Sequence, residues 1–180
     1  RGGVDINDIW HPTERDTLHE SPAIRLGADS LFSHAGLALE ELDYFDIYSC
    51  FPSAVRIACN GIGLSPLDER GVTLTGGLLF FGGPGNNYSL HAIAQMVENL
   101  RSRGSAHGLV TATGLYLTKH SLGLYSTTPG QGQWQAIDSE ALQRQIDAGP
   151  RRQLAENPAG KASIETFTVV FDKQGPSKGI

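Results

Sequence analysis

Methionine is almost missing from this sequence: Met96 stands alone in 180 residues. The chain opens at Arg1 without an initiator and stops at Lys178-Gly179-Ile180, just after a Lys173-Gln174-Gly175-Pro176 turn whose partner strand has barely begun. A segment of a longer protein is the expectation. Cysteine is nearly as scarce. Cys50 and Cys59 are nine positions apart, with no second pair and no ordered histidine spacing, so neither a zinc site nor a disulfide framework is indicated and buried free thiols are expected. Basic residues are outnumbered, 14 Lys and Arg against 19 Asp and Glu, and apart from Arg151-Arg152 and the pair Arg101, Arg103 they are scattered, which argues against a nucleic-acid partner. No apolar run approaches the roughly 18 residues that cross a bilayer, and no signal peptide opens the chain. No membrane span and a cytoplasmic location are therefore expected. Also missing are a Ser/His/Asp order, a Walker loop, a kinase signature set and His-Glu-x-x-His.

What is present is a core's worth of apolar residues, 39% of the chain, and an unusual stretch from Leu74 to Ser89 that packs five glycines and a proline into sixteen residues. Its apolar run, Leu78 to Phe81, predicts a strand feeding the loop Gly82 to Asn87, with a periodic helix following at once. Such a junction aims free backbone N–H groups and a positive helix end at whatever occupies the loop. It suits a carbonyl oxygen, an enolate or a phosphate, and it equally suits a tight structural turn.

Along the chain, a strand is expected near Val4 to Ile9. Ser21-Pro22 supplies an N-cap and a first-turn proline for a helix carrying Ile24, Ala28, Leu31, Phe32 and Ala35 up to Gly36. Tyr44 to Ser49 is aromatic and β-branched, as in a strand. Pro52 opens a second helix with Ala54, Val55, Ala58 and Ile62 on its apolar face, broken at Gly61 and Gly63. A strand is expected at Val72 to Thr75, and a helix from about Tyr88 to Arg103 with Leu90, Ile93, Ala94, Val97 and Leu100 on one side. Gly108 to Thr113 reads as a buried strand, and Leu115 to Ser126 as a longer one. Alternating helices and strands predict an α/β fold with functional residues at the carboxyl ends of the strands, where Tyr48, Gly83 and Gly114 fall. Thr127 to Gln133 reads as a linker. Beyond it come a short helix capped at Asp138 or Ser139 and a strand within Ser163 to Asp172, so residues 1–130 are expected to form one domain and 131–180 the start of a truncated, β-rich one.

Four runs, in order, carry a resemblance: Gly36 to Phe51 with its Tyr48-Ser49-Cys50-Phe51, then Leu74-Thr75-Gly76-Gly77, then Gly82-Gly83-Pro84, then Gly108 to Gly114. Across roughly residues 20 to 126 the chain resembles the C-terminal half of a thiolase. Tyr-Ser-Cys-Phe-Pro-Ser-Ala-Val and the Leu-Thr-Lys-His of Leu117 to His120 are similar to the sterol-carrier-protein-2-type thiolase-like branch, of acetyl-CoA acetyltransferase type. The resemblance implies a layered thiolase half, with a mixed central sheet and helices on both faces, and an acyltransferase of lipid metabolism working on acyl-CoA. Coenzyme A thioester would be substrate, with no covalently bound cofactor and no metal. A missing N-terminal half would supply the nucleophilic cysteine, so this chain alone is expected to be inactive. A homodimer is compatible with the resemblance.

The motif side chains depart from the family pattern. Where thiolases have Asn-Glu-x-Phe or His-Asp-x-Phe, Tyr48 replaces the first polar group by a phenol that can still donate to an oxyanion. The Gly-His-Pro motif matches Gly82-Gly83-Pro84, without an imidazole. The acid/base cysteine of Cys-x-Gly falls at about Thr113, whose hydroxyl cannot deprotonate an α-carbon as a thiol of pKa ~8.5 can. Gly82, Gly83, Pro84 and Gly114 remain as backbone groups for substrate. His120, seven residues past Thr113, is the first candidate for a general base provided that the strands turn back sharply, and a structural histidine is the alternative. Tyr48 is the second candidate. It would suit retro-aldol cleavage of a β-hydroxyacyl-CoA, as in thiolase-like aldolases, or it packs as a plain aromatic. Loss of all three motif side chains would also fit a non-catalytic subunit that binds CoA esters or scaffolds a partner. Cys50 lies beside the site but matches a structural position. Asn87 and His91, one helical turn apart, either face a ligand together or face solvent.

Overall fold

The computed structural model describes residues 2–130, 133 and 135–180. Arg1, and Gln131, Gly132 and Trp134 around the expected linker, lie outside the described residues. The centre is a four-stranded sheet of β1 (Gly2–Asn7), β2 (Tyr44–Asp46), β3 (His107–Gly114) and β4 (Lys119–Ser126), in the order β1-β4-β3-β2. β3 pairs with β2 in parallel and with β4 in antiparallel, and β4 pairs with β1 in antiparallel, so the sheet is mixed.

Strand alternation divides the apolar residues between two helical layers. On one face, Val4, Leu109, Leu122 and Leu124 pack with Ile24, Ala28 and Leu31 of α1 (Pro22–Ala35) and with Ile57, Ala58 and Ile62 of α2 (Pro52–Ile62). α1 forms where its punctuation predicts. The Ser21 hydroxyl accepts the Ile24 N–H at 3.2 Å, Pro22 takes the first position, and Gly36 closes the helix in the left-handed conformation. On the other face, Val110 packs with Tyr88, Ala92, Met96 and Leu100 of α4 (Tyr88–Arg101), after the single turn α3 (Leu78–Phe81). Helices thus cover both faces of a mixed sheet.

Several element boundaries differ from the sequence-based expectation. Leu78–Phe81 is a helical turn with Leu79 and Phe80 exposed, not a strand. Val72 to Thr75 forms no strand: the Val72 carbonyl accepts the Ile47 N–H at 2.9 Å, but the N–H groups of Leu74 and Thr75 turn to a side chain, as described below. The second hairpin strand starts at Lys119, not Leu115. Leu115 and Leu117 adopt left-handed φ of 54° and 57°, and the chain reverses there. Gly61 lies inside α2, where it faces Ile24 of α1. α4 buries Ala92 and Met96 and leaves Leu90 exposed, so its apolar side is rotated from the expected one.

Beyond the linker, α5 (Ser139–Asp147) is capped by Asp138, which accepts the Ala141 N–H at 2.9 Å. It docks through Ile146 against Ile6 of β1 and Ala23 of α1. β5 (Val169–Asp172) and β6 (Gly175–Gly179) make a separate antiparallel hairpin with Phe167 and Phe171 exposed. Among the described residues no helix is long and apolar enough to cross a membrane.

Candidate functional site

The glycine stretch is organised by a residue to which the sequence assigns no role. Asp46, the last residue of β2, is fully buried. Its Oδ2 accepts the N–H groups of Leu74 at 2.9 Å and Thr75 at 3.0 Å and the Thr73 hydroxyl at 3.1 Å, and its Oδ1 accepts the Tyr88 hydroxyl at 2.8 Å. Thr75 Oγ1 sits 3.1 Å from Oδ2 and 2.7 Å from the Tyr88 oxygen. Burial above all, aided by Asp46 and opposed by Thr75, pushes the Tyr88 hydroxyl up to about 12. One carboxylate therefore ties the strand end, the glycine segment and the first residue of α4 together.

From this anchor the chain passes through Gly76 and Gly77, both left-handed, with the Ser49 hydroxyl accepting the Leu78 N–H at 3.0 Å. A Cβ on Gly77 would lie 2.6 Å from Ser49 Oγ, so only glycine fits this approach. After α3 comes the loop Gly82 to Asn87. Among the described residues no hydrogen bond engages the backbone N–H of Gly83, Gly85 or Asn86, and the loop ends at the N-terminus of the 14-residue α4. Gly83 thus lies between two helices and not at a strand end. Its φ is not positive, yet a Cβ there would stand 3.1 Å from Leu78 Cδ2 and 3.2 Å from Tyr88 Cβ. The position that would hold an imidazole is filled by its neighbours. Asn87 and His91 are half-buried rather than solvent-facing, with Asn87 Oδ1 and His91 Nδ1 buried and unpartnered and the His91 ring edge-on to Phe81 at 5.1 Å.

Tyr48 belongs to this same side. Its ring meets Tyr88 edge-to-face at 5.4 Å, and its N–H is accepted by Thr111 Oγ1 at 2.9 Å. Burial, then the neighbouring Cys50, raises its pKa above the ordinary tyrosine value, so its hydroxyl is a donor and not a base at neutral pH.

A second polar cluster forms at the hairpin end. Thr113 and His120 are register partners, so the sharp reversal that a His120 base requires is present. Thr113 Oγ1 lies 3.4 Å from His120 Nδ1, while His120 Nε2 lies 3.0 Å from the Leu117 carbonyl oxygen. A carbonyl only accepts, so Nε2 carries the proton and the lone pair of Nδ1 faces the Thr113 hydroxyl. His120 is 4% exposed, and burial lowers its pKa against the smaller opposing effects of the Leu117 carbonyl and Asp8. Its Nε2 also lies 3.5 Å from Ser21 Oγ. A groove of about 320 Å³ opens at this end of the sheet, lined by Asp5, Asn7, Ala112, Thr113, Lys119 and His120, with Gly114 at its rim.

The two clusters do not meet. Thr113 and His120 follow the alternation of Leu109 and Leu122, which places them on the α1 face, whereas Tyr48 packs with the α4 layer. The sheet lies between them. Among the described residues no group of three metal-ligating side chains occurs. The sequence assigns no role to Asp46, Ser49 or Tyr88, although the first two lie within the run Gly36 to Phe51. The one available signal was an acid set among the apolar residues of Tyr44 to Ser49.

A solved structure shares this fold: the monomeric SCP2-thiolase-like protein type 1 from Mycobacterium smegmatis, with a TM-score of 0.87 and 43% sequence identity over 94% of the present chain. The chain belongs to the SCP2-thiolase-like branch. It spans 37% of that protein's length, and the match must extend past residue 130 to reach its coverage. No family model and no curated protein sequence matches this SCP2-thiolase-like chain.

Proposed function

We propose that this thiolase-like chain serves acyl transfer on acyl-CoA thioesters, with the remainder of a thiolase supplying the nucleophilic cysteine. The observation that carries the proposal is the open loop Gly82 to Asn87. Its unengaged N–H groups and the positive end of α4 suit an oxygen that gains charge, as a thioester oxygen does when a tetrahedral adduct forms. Gly82, Gly83 and Pro84 would act through the backbone. Thr113, the half-buried end of the Thr113–His120 pair, would present its hydroxyl to substrate with His120 as the base behind it. The test is thiolysis of acetoacetyl-CoA by the whole protein, followed as loss of the diketide with consumption of free CoA. Thiolysis that falls at least tenfold in His120→Gln supports the proposal, and its absence from the wild-type protein would refute it.

The sheet between Tyr48 and His120, with the filled imidazole position at Gly83, favours a second function: a CoA-ester-binding unit without turnover. Tight CoA binding with no acyl-enzyme detectable by mass spectrometry would select it. A lyase using Tyr48 as base gains no support, since burial keeps that phenol protonated. Release of a ketone or aldehyde from a β-hydroxyacyl-CoA without consumption of free CoA would reinstate it.

A further inference from the structure

We propose that Ser21 and Asp8 extend the Thr113–His120 pair into a proton relay that runs beneath the N-terminus of α1 and opens at its far end on the cleft between α1 and α5. The proposal rests on His120 acting as a base. Ser21, the N-cap of α1, does more than cap. Its Oγ accepts the Ile24 N–H, donates to Asp8 Oδ2 at 2.6 Å and lies 3.5 Å from His120 Nε2. Asp8 is 4% exposed, and its Oδ1 accepts the Ile9 N–H at 2.7 Å. The polar groups therefore run in line from Thr113 through His120 and Ser21 to Asp8, each in reach of the next.

The far end leads somewhere. Asp8 lines a cleft of about 290 Å³ together with Arg15, Glu20, Arg25 and Gln145. The groove at Thr113 and this cleft thus flank one buried polar string. Besides Asp8, the charged group that acts on His120 is Arg15, whose guanidinium is held by the carbonyls of Ile9 and Leu117 and by Thr118 Oγ1.

The step balances. A proton arriving from Thr113 or from substrate bonds to Nδ1 and makes His120 cationic. The Nε2–H, now a charge-assisted donor, passes its proton to Ser21 Oγ while the Ser21 proton moves to Asp8 Oδ2. Bonds to hydrogen form at Nδ1, Ser21 Oγ and Asp8 Oδ2 and break at the proton's donor, at Nε2 and at Ser21 Oγ, the imidazole returns to neutral as the Nδ1–H tautomer, and water in the cleft takes the proton from the neutral Asp8 acid. Asp8 and Ser21 are positioning residues: they act through His120 and touch no substrate.

The test reads His120 and not turnover. Histidine ring ¹⁵N–¹H correlations across a pH series give its tautomer and pKa in the wild-type protein, Asp8→Asn, Ser21→Ala and Ser21→Thr. The relay requires the Nε2–H tautomer in wild type. Removing the carboxylate in Asp8→Asn should lower the His120 pKa, since the Asp8 charge favours the imidazolium. Ser21→Ala should lower it as well, and Ser21→Thr, which keeps the hydroxyl, should restore it. If Asp8→Asn does not fold, the two Ser21 variants decide alone. A wild-type Nδ1–H tautomer, or a His120 titration unmoved by Ser21→Ala while melting temperature falls, would overturn the relay and leave Ser21 as a cap. The expected shifts in a protein without thiolysis would support the relay and count against acyl transfer.

Discussion

Replacing Asp46 by alanine removes the acceptor on which the glycine segment is built. Five donors converge on this carboxylate, but their fates differ. The hydroxyls of Thr73 and Thr75 already lie 3.3 Å apart, and Thr75 is within 2.7 Å of the Tyr88 oxygen, so the three hydroxyls can partner one another. The N–H groups of Leu74 and Thr75 cannot turn. Each buried donor left unsatisfied costs about 1–3 kcal/mol, giving a span of about 2–6 kcal/mol for the pair. Leu74 and Thr75 are only half-buried, so water reaches part of the gap and the lower half applies, about 2–4 kcal/mol. Asp46→Asn keeps an oxygen for both N–H groups and should cost only about 1 kcal/mol. Urea denaturation at unchanged m-value measures both. Asp46→Ala within about 0.5 kcal/mol of wild type would refute the anchoring role. Additivity with Tyr88→Phe in a double-mutant cycle would refute the claim that Tyr88 leans on Asp46.

Three further outcomes are expected. Gly83→His should not rebuild a catalytic imidazole: its Cβ meets Leu78 and Tyr88, so we expect a loss of about 1–3 kcal/mol in stability and no rise in thiolysis, and an active, equally stable variant would contradict this. Because burial depresses the His120 pKa below its ordinary 6.5, the unfolded state binds a proton first, so stability is full above that value and falls as pH drops from 6.5 toward the folded pKa. His120→Gln should flatten that limb of the stability curve, as measured by denaturation at successive pH values. A disulfide reagent at pH 8 should label exposed Cys50 at once and leave Cys59, buried and pushed up to about 11, unlabelled until unfolding, and simultaneous labelling would refute that burial.

What could be read from the sequence was what local chemistry announces. α1 carries its start in Ser21-Pro22 and its stop in Gly36, and the strand at Gly108 to Thr113 is a plain buried run; both lie where expected. The exchange of strand for helix at Leu78 to Phe81 reflects an apolar run too short for periodicity to decide, flanked by glycines that suit either element. The start of β4 was missed because its turn uses Leu115 and Leu117 in a conformation that usually calls for Gly or Asn, so no turn residue marks the reversal. That same turn brings His120 back against Thr113, a contact which the sequence could state only as a condition. Val72 to Thr75 looks like a strand because its residues favour one, yet after one backbone bond from Ile47 to Val72 the N–H groups of Leu74 and Thr75 go to the side chain of Asp46. Side-chain anchoring from a distant element leaves no period behind. The docking of α5 on β1 is equally silent, since it combines the apolar contacts of Ile146 and Leu142 with two hydrogen bonds between the Gln143 amide and the Asn7 backbone.

The missing imidazole at Gly83 and the buried one at His120 are not the same group moved to a new place. The packing of Leu78 and Tyr88 around Gly83 closes the first position, and the second lies across the sheet beneath α1. A base at His120 therefore cannot serve an oxyanion held in the glycine loop by direct contact. Such a base would reach substrate only where Thr113 comes to the rim of the sheet, at the groove that Gly114 and Lys119 border. On the proposed acyl transfer, binding of the thioester oxygen and removal of a proton would be tasks of two faces of one sheet, joined at the carboxyl end of β3. The Thr113 hydroxyl is the point at which that division can be broken. Thr113→Val removes the Thr113–His120 contact while leaving the glycine loop and its Asp46 anchor untouched, so turnover should fall with CoA-ester affinity unchanged. A matched loss of affinity would mean that the two faces share one site after all.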